Sequence, residues 1–319
     1  MAKISVIVPV YNGAETIKDC VDSILEQTLE GVEVIVVNDG SDDATADILQ
    51  AYGDRIIVLN QNRQGQGNAR NAGIEAASGE YLGFVDADDT IEPEMYAAMY
   101  AAAKRHGAQM VQCGIRDIQE DGTETERACF REDVCIMDRA EYVFDYFYRL
   151  KHTNEVCNKL IQKQFLQEHD LRFSDTGVYF SEDFKLNMEM ILYLDRISFV
   201  DRSFYKYFIK DSGHCRNDVT GRIPKILKLF ENVLSREMED GTRKGLECVA
   251  ALTLLLYCRQ AMATSRTYAA EFLQDRNVRK YLRTSMVYRS NLKHFLLYFS
   301  ILYLPKSVKL FLLNKFLKF

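Results

Sequence analysis

Residues 4–10 read ISVIVPV, and residues 32–37 read VEVIVV. Both runs are dense in β-branched side chains, which suit extended backbone. Neither alternates apolar with polar residues, as a strand with one wet face would. Near-continuous apolar strands belong to sheets covered on both faces, which is the habit of parallel sheets. Between the two runs, Ile17, Cys20, Val21, Ile24 and Leu25 mark one face of a helix over residues 14–27. The alternation continues along the chain. Residues 38–43 form a turn with good N-cap residues, and 44–52 read as a helix. Residues 55–59 give a third strand, 66–77 an Ala-rich helix and 81–85 a fourth strand. Pro93 stands at the start of a further helix that reaches His106. Strand–helix repeats at this spacing predict an α/β fold with a parallel sheet sandwiched by helices.

Ligands of open parallel sheets bind beyond the carboxyl ends of the strands. The polar clusters fall there: Tyr11-Asn12-Gly13, Asp39-Gly40-Ser41 and Asp86-Ala87-Asp88-Asp89. Like charges as close as those of residues 86–89 repel unless something positive neutralises them. An Asp-x-Asp at a strand tip suits a hard divalent cation such as Mg²⁺ or Mn²⁺, which takes one or two carboxylates and completes its shell with water and phosphates. Asp88 would bind the metal, and Asp86 would reach a ribose hydroxyl or the metal's water. A solvated acidic turn is the plainer alternative. No G-x-G-x-x-G follows the first strand, and no Walker loop occurs anywhere.

The chain has 319 residues, 47% hydrophobic and 27% charged, as expected of a folded globular protein. A net charge of -6 argues against a nucleic-acid partner. Eight cysteines without C-x-x-C spacing read as reduced, buried thiols of a cytoplasmic protein. The N-terminal apolar run is too short and interrupted for a secretory signal.

The stretches VIVPVYNGAETI, VIVVNDGSDDAT and QGNARNAGIEAASGEYLGFVDADD, in this order, resemble the nucleotide-binding half of family 2 glycosyltransferases over residues 4–110. The resemblance implies a GT-A-type, Rossmann-like, mostly parallel sheet and an inverting enzyme using a UDP-sugar with Mn²⁺ or Mg²⁺. By position, Pro9, Tyr11, Asn12 and Glu15 would border the base and ribose. Asp39 would accept the uracil imide N–H, Arg70 would meet the base or ribose, and Asp86, Ala87 and Asp88 would form the Asp-x-Asp site. The alternatives are a turn former for Asp39 and a helix-surface cation for Arg70.

Residues 155–173 are similar to the family's Asn-Lys-Leu stretch, with Cys157 where an aromatic residue is common. Residues 179–184, YFSEDF, resemble its Glu-Asp signature. There Asp183 would be the catalytic base, because an acceptor hydroxyl must lose its proton as it attacks. Glu182 would orient Asp183 or hold the acceptor. Ser181-Glu-Asp is also a helix N-terminus. In the loop that closes over the diphosphate in this family, His214 would be a third metal ligand and Arg216 a phosphate partner. Residues 117–137 read as a polar hairpin around Asp121-Gly122. The resemblance thus implies a catalytic domain, 1–220, with nucleotide-binding (1–110) and acceptor (111–220) halves; residues 221–275, rich in Leu and Ala, read as helices and open a helical region, 221–319.

Residues 276–319 carry ten basic side chains and no acidic one, interleaved with HFLLYFSILYLP and VKLFLLNKFLKF. The apolar stretches are too short to span a bilayer. A basic amphipathic tail predicts peripheral contact with an anionic membrane, with packing against the protein or a second copy as the alternative. The expected activity is sugar transfer to a saccharide or lipid-linked acceptor in cell-surface polysaccharide synthesis, at the inner face of the membrane. The rival is an inactive sugar-nucleotide-binding scaffold. The sequence allows a homo-oligomer.

Overall fold

β1 (Ile4–Val10) lies between β2 (Val32–Asn38) and β4 (Tyr81–Phe84), and β3 (Ile57–Asn60) extends the sheet beyond β2, all four strands running parallel in a computed structural model. The structure describes residues 2–127, 134–143, 153–174, 181–209, 219–262, 265–288 and 292–303. These residues divide into two compact units. Residues 2–138, 153–174 and 181–209, as far as described, make the first; residues 139–143 and those from 219 onward make the second.

The crossovers of the first unit are helical, as the alternation predicts. α1 (Ile17–Leu25) joins β1 to β2. α2 (Thr45–Gln50) and a single 3₁₀ turn at Gly53–Arg55 precede β3, and α3 (Gln66–Ala76) joins β3 to β4. Every residue of β1 is buried, which requires cover on both faces. α3 lies close against β1 because Gly73 faces Ile7, where any Cβ would collide with the isoleucine side chain. That close approach brings the helix's first turns over the strand tips.

The two-residue strand β5 (Thr90–Ile91) and α4 (Met95–His106) follow; the helix begins two residues after Pro93 and ends at Gly107 in the left-handed region, φ +58°. Beyond β4 the sheet is mixed. β6 (Met110–Ile118) and β7 (Glu124–Arg127) form the predicted hairpin, with Gly122 at φ +82° in its turn. β8 (Val134–Ile136) pairs antiparallel with the long β10 introduced below. A single turn, α5 (Arg139–Glu141), belongs to the second unit. β9 (Lys159–Gln162) runs antiparallel between β4 and β6, and α6 (Lys163–Glu168) follows it directly. α7 (Glu182–Met190) leads to β10 (Ile197–Phe208), which is parallel to β6 and antiparallel to β5 and β8. The strand order is β3-β2-β1-β4-β9-β6-β10-β5, with β7 beside β6 and β8 beside β10. The parallel reading therefore describes the first four strands; the tight β6–β7 hairpin and the antiparallel pairings of β9 with β4 and β6 make the rest mixed.

The second unit is helical: α5, α8 (Val219–Leu234), α9 (Asp240–Ala261), α10 (Arg266–Phe272), α11 (Arg276–Val287) and α12 (Leu292–Tyr303). α9 is buried on most of its faces, and α8, α10 and α11 pack around it. Val278, Tyr281, Leu282 and Ser285 of α11 are buried, and Lys280 pairs with Glu247 of α9 at 2.9 Å. Arg279 donates to the Leu302 carbonyl of α12, where Leu297, Tyr298, Ile301 and Leu302 are also buried. The described part of the basic tail thus turns its apolar side into its own helical unit. Val287, Phe299 and Tyr303 remain exposed. Residues 304–319, with the second amphipathic stretch, lie outside the described residues. No described helix is long and apolar enough to cross a membrane.

Candidate active site

The tips of β1 and β2 are stitched together by short polar side chains. Asn12 takes a left-handed conformation, φ +52°, which asparagine tolerates. Its amide donates to Asp42 at 2.6 Å and accepts from the Asp42 N–H at 2.9 Å. Gly13 N–H donates to the buried Thr45 hydroxyl. Pro9 sits inside β1, opposite Val37. Tyr11 is 38% exposed, and the Arg63 guanidinium lies 4.0 Å over its ring. Glu15 is exposed on the same rim, and Ala87 is half-buried beside Gly13.

Asp39 is buried and organises the loop before α3. Its Oδ1 accepts from Gln61 Nε2 (2.7 Å) and Gln64 N–H (2.8 Å), and its Oδ2 accepts from Gly65 N–H (2.8 Å). This is a turn-forming role across the sheet edge. A carboxylate offers about four lone-pair positions, so capacity for a further donor remains.

Arg70 is the hub of the site. It is 1% exposed. Its Nη1 donates to Glu182 Oε1 at 2.8 Å and to Asp183 Oδ1 at 3.0 Å, while Nη2 donates to Asp86 Oδ1 at 2.8 Å. Phe173 lies beneath the guanidinium. The positive group that the acidic strand tip demands is therefore Arg70. Its burial sets it apart from the helix-surface alternative. The reason is electrostatic: one buried guanidinium serves three carboxylates brought together from the turn after β4 and from α7. Its Nε–H has no partner among the described residues.

Asp86 also accepts from Gln66 Nε2 at 3.1 Å, again on Oδ1. Its Oδ2 takes no hydrogen bond from the described residues. Asp88 is exposed at the turn's apex. Asp89 points the other way, buried, accepting from Tyr205 Oη at 2.7 Å and Phe208 N–H at 2.9 Å. Burial, then the neighbouring Asp86 charge, raises the Asp89 carboxyl, and those two donors oppose the rise.

At the start of α7 the cap is Ser181, whose hydroxyl accepts from Phe184 N–H at 3.3 Å. Glu182 and Asp183 are thereby released from capping and face Arg70. Asp183 Oδ2 accepts from Val156 N–H at 3.2 Å. The loop holding Val156 is itself fixed by the fully buried Lys159, which donates to the Thr153 carbonyl at 2.8 Å and to the Glu155 carbonyl. Cys157 is buried in the core beneath. Burial is the main cause raising the Asp183 carboxyl, to about 7; Glu182 and Asp86 add to it and Arg70 opposes it. The side chain keeps 16% of its surface exposed, so a hydroxyl can reach it.

The donor set of the described residues can be tested against a divalent ion. Among the described residues no group of three or more His, Cys, Asp or Glu side chains is arranged to hold a metal. Asp86 is half committed to Arg70, and Asp88 stands at the exposed apex. The arrangement suits an ion held by one or two carboxylates and completed by substrate phosphates, not an all-protein cage. The surplus of carboxylates over the single guanidinium also favours an added cation. His214 and Arg216 lie outside the described residues.

The sequence singled out Asp39, Asp86, Asp88, Glu182 and Asp183, and the structure places all of them on the carboxyl-end side of one sheet. It passed over Arg63, Gln66 and Tyr205, and gave Asp89 no role beyond its charge. Gln66 stands between two glycines at the start of a helix and Tyr205 between two other residues of a strand, and neither position carries a local signal of a site. Nothing in the sequence marked Arg63.

The family model described as Glycosyl transferase family 2 matches residues 5–173. The glycosyltransferase EpsJ of Bacillus subtilis is 32% identical over 213 residues, 64% of this chain and 60% of that protein. EpsH of the same organism is 32% identical over 236 residues, 73% of this chain and 66% of that protein. The matches thus span about two thirds or less of these curated relatives' length. Among solved structures, S. aureus TarS 1-349 in complex with UDP-GlcNAc has a TM-score of 0.71 at 20% identity, covering 98% of this chain and 90% of that one. That likeness shows a shared fold, with helices flanking a mixed, curled sheet and a helical C-terminal region. With its strand tips, its acidic turn and more than half its length under one family model, the chain belongs to glycosyl transferase family 2.

Proposed function

We propose that the chain transfers a sugar from a UDP-sugar to a hydroxyl of a saccharide or lipid-linked acceptor, inverting the anomeric configuration. The observation that carries this reading is the pairing of two acidic sites through Arg70. The Asp86–Asp88 turn faces the donor's diphosphate, and Asp183 stands ready as a base with a raised pKa and an open face. The acceptor oxygen attacks the anomeric carbon while its proton passes to an Asp183 carboxylate oxygen. The bond from the anomeric carbon to the diphosphate oxygen breaks on the opposite face, which inverts the centre and releases UDP. Glu182 and Arg70 orient Asp183, and Val156 N–H holds its second oxygen. A Mn²⁺ or Mg²⁺ ion, held by Asp88 with Asp86 and the donor phosphates, would neutralise charge on the leaving group. Pro9, Tyr11, Asn12 and Glu15 line the base and ribose side, Tyr11 and Arg63 offer a stacking platform, and Asp39 keeps acceptor capacity for the uracil imide. The choice of UDP draws support from the fold shared with a protein that binds UDP-GlcNAc.

Thermal unfolding with UDP, GDP and dTDP, each with and without Mn²⁺, tests the donor class. UDP should stabilise most, and more so with Mn²⁺; a ligand at a hundred times its Kd adds about 2.7 kcal/mol. Stronger stabilisation by GDP, or none by any nucleotide, overturns the assignment.

We further propose peripheral docking of residues 276–319 on an anionic membrane, supported by ten cations without a single acid. Removing residues 304–319, which spares α12 and takes away four of the ten cations, should weaken sedimentation with phosphatidylserine vesicles while UDP binding persists. Undiminished sedimentation refutes a part for these residues in the docking.

A further inference from the structure

The turn that carries Asp86 and Asp88 is anchored from behind by two buried groups that the transfer reaction does not use. Tyr205, fully buried in β10, accepts from Asp86 N–H at 3.1 Å and donates to Asp89 Oδ2 at 2.7 Å. Asp89 Oδ1 accepts from Phe208 N–H at 2.9 Å, and Asp89 N–H returns to the Asp86 carbonyl at 3.0 Å. Both ends of the turn are thus fastened to one strand, three residues apart. β10 shifts register between Ser203 and Tyr205, which breaks its regular pairing with β6 just where the phenol meets the turn. Tyr205 and Lys206 also pair with β5, the strand that directly follows the turn, so the loop's exit is fixed to the same place.

Asp89 is 1% exposed, and no cation pairs with it among the described residues. A buried carboxylate without a counter-ion is a burden on stability unless its hydrogen bonds are complete. Here each oxygen has a donor, and the phenol uses its one proton and one lone pair. The group's visible work is to hold the turn.

We propose that Tyr205 and Asp89 are positioning residues: together they form a buried strut that fixes the turn against β10 and so sets where the Asp88 carboxylate meets the donor diphosphate and its cation. This rests on the reading of the turn as the donor-diphosphate site. Tyr205→Phe removes one hydroxyl, leaving Asp86 N–H and Asp89 Oδ2 without their partner. Asp89→Asn keeps the shape but replaces an acceptor by an N–H₂ donor. The phenol must then release Asp86 N–H or leave its own proton unbonded.

The test uses the full chain and measures UDP affinity by calorimetry with and without Mn²⁺, with Mn²⁺ binding followed independently by paramagnetic resonance. Loss of a supporting group behind a metal ligand weakens metal affinity by about 10- to 100-fold, so Tyr205→Phe should cut the Mn²⁺-dependent gain in UDP affinity by about tenfold. Metal-free UDP affinity should stay unchanged. A purely structural role would lower the melting temperature and leave the ratio of the two affinities alone. If the wild type shows Mn²⁺-dependent UDP binding and both Tyr205→Phe and Asp89→Asn keep it, the strut is refuted and the donor site stands. If the wild type binds UDP equally with and without Mn²⁺, the metal reading of the turn falls, and the strut falls with it.

Discussion

Asp183→Asn is expected to lower kcat for sugar transfer by roughly 10²- to 10⁴-fold, the range that a positioned general base contributes. The asparagine fills the same space beside Arg70 and Val156 N–H, but its amide cannot take the acceptor's proton. UDP affinity, which depends on groups at the other strand tips, should change little. Single-turnover UDP release and calorimetric UDP binding separate the two effects. Transfer within tenfold of wild type removes Asp183 from the base role, and a wild type that binds UDP yet transfers to no hydroxyl acceptor favours the scaffold reading. The pH profile gives an independent check. With the Asp183 carboxyl raised to about 7 by burial, kcat/KM should climb as pH rises through that value, because only the ionised form accepts a proton. An ordinary aspartate would put the climb near ~4. The same shift acts on the fold. The native carboxyl keeps its proton to a higher pH than the unfolded chain's, so this group lowers stability as pH rises from about 4 to about 7. Asp183→Asn should flatten that part of the stability curve.

The nucleotide-binding strands were legible because their signals are local. Ile4–Val10, and Val32–Asn38 beyond its first two residues, are buried on both faces, and a β-branched run states that in its own composition. The antiparallel course of β9 and the irregular pairing of β10 left no such trace, since register between distant strands depends on partners the local pattern does not name. The same division holds in the site. Asp86 and Asp88 announce themselves at the end of an apolar run. That Arg70 serves Glu182 and Asp183 depends on residues 112 and 113 positions away. That Tyr205 braces Asp86 depends on one 119 positions away. The tail shows a different limit. A period of apolar residues fits a helix core and a membrane surface equally well. In α11 it serves the core, with Val278, Tyr281 and Leu282 buried.

Arg70→Met is expected to destabilise the protein by about 3–5 kcal/mol at pH 8, the usual consequence of removing one partner of a buried ion pair. Methionine matches the length of the stem but leaves Asp86, Glu182 and Asp183 facing one another without a cation. Two unit charges about 4 Å apart repel by about 4 kcal/mol at an effective dielectric of ~20, so at least one carboxyl will hold a proton instead. That escape makes the loss depend on pH. The arginine's contribution exists where the carboxylates are ionised and fades as pH falls and they become neutral, so the gap between variant and wild type should narrow markedly from pH 8 to pH 4. Arg70→Lys should fall between the two, since a single ammonium cannot reproduce a fork that reaches three carboxylates from two nitrogens. Urea unfolding at both pH values measures the difference, and a methionine variant within 1 kcal/mol of wild type at pH 8 contradicts the hub role. Mn²⁺ gives the sharper reading. With the guanidinium gone, the same carboxylates become a stronger site for a divalent cation, so millimolar Mn²⁺ should recover part of the lost stability in Arg70→Met and add less to the wild type.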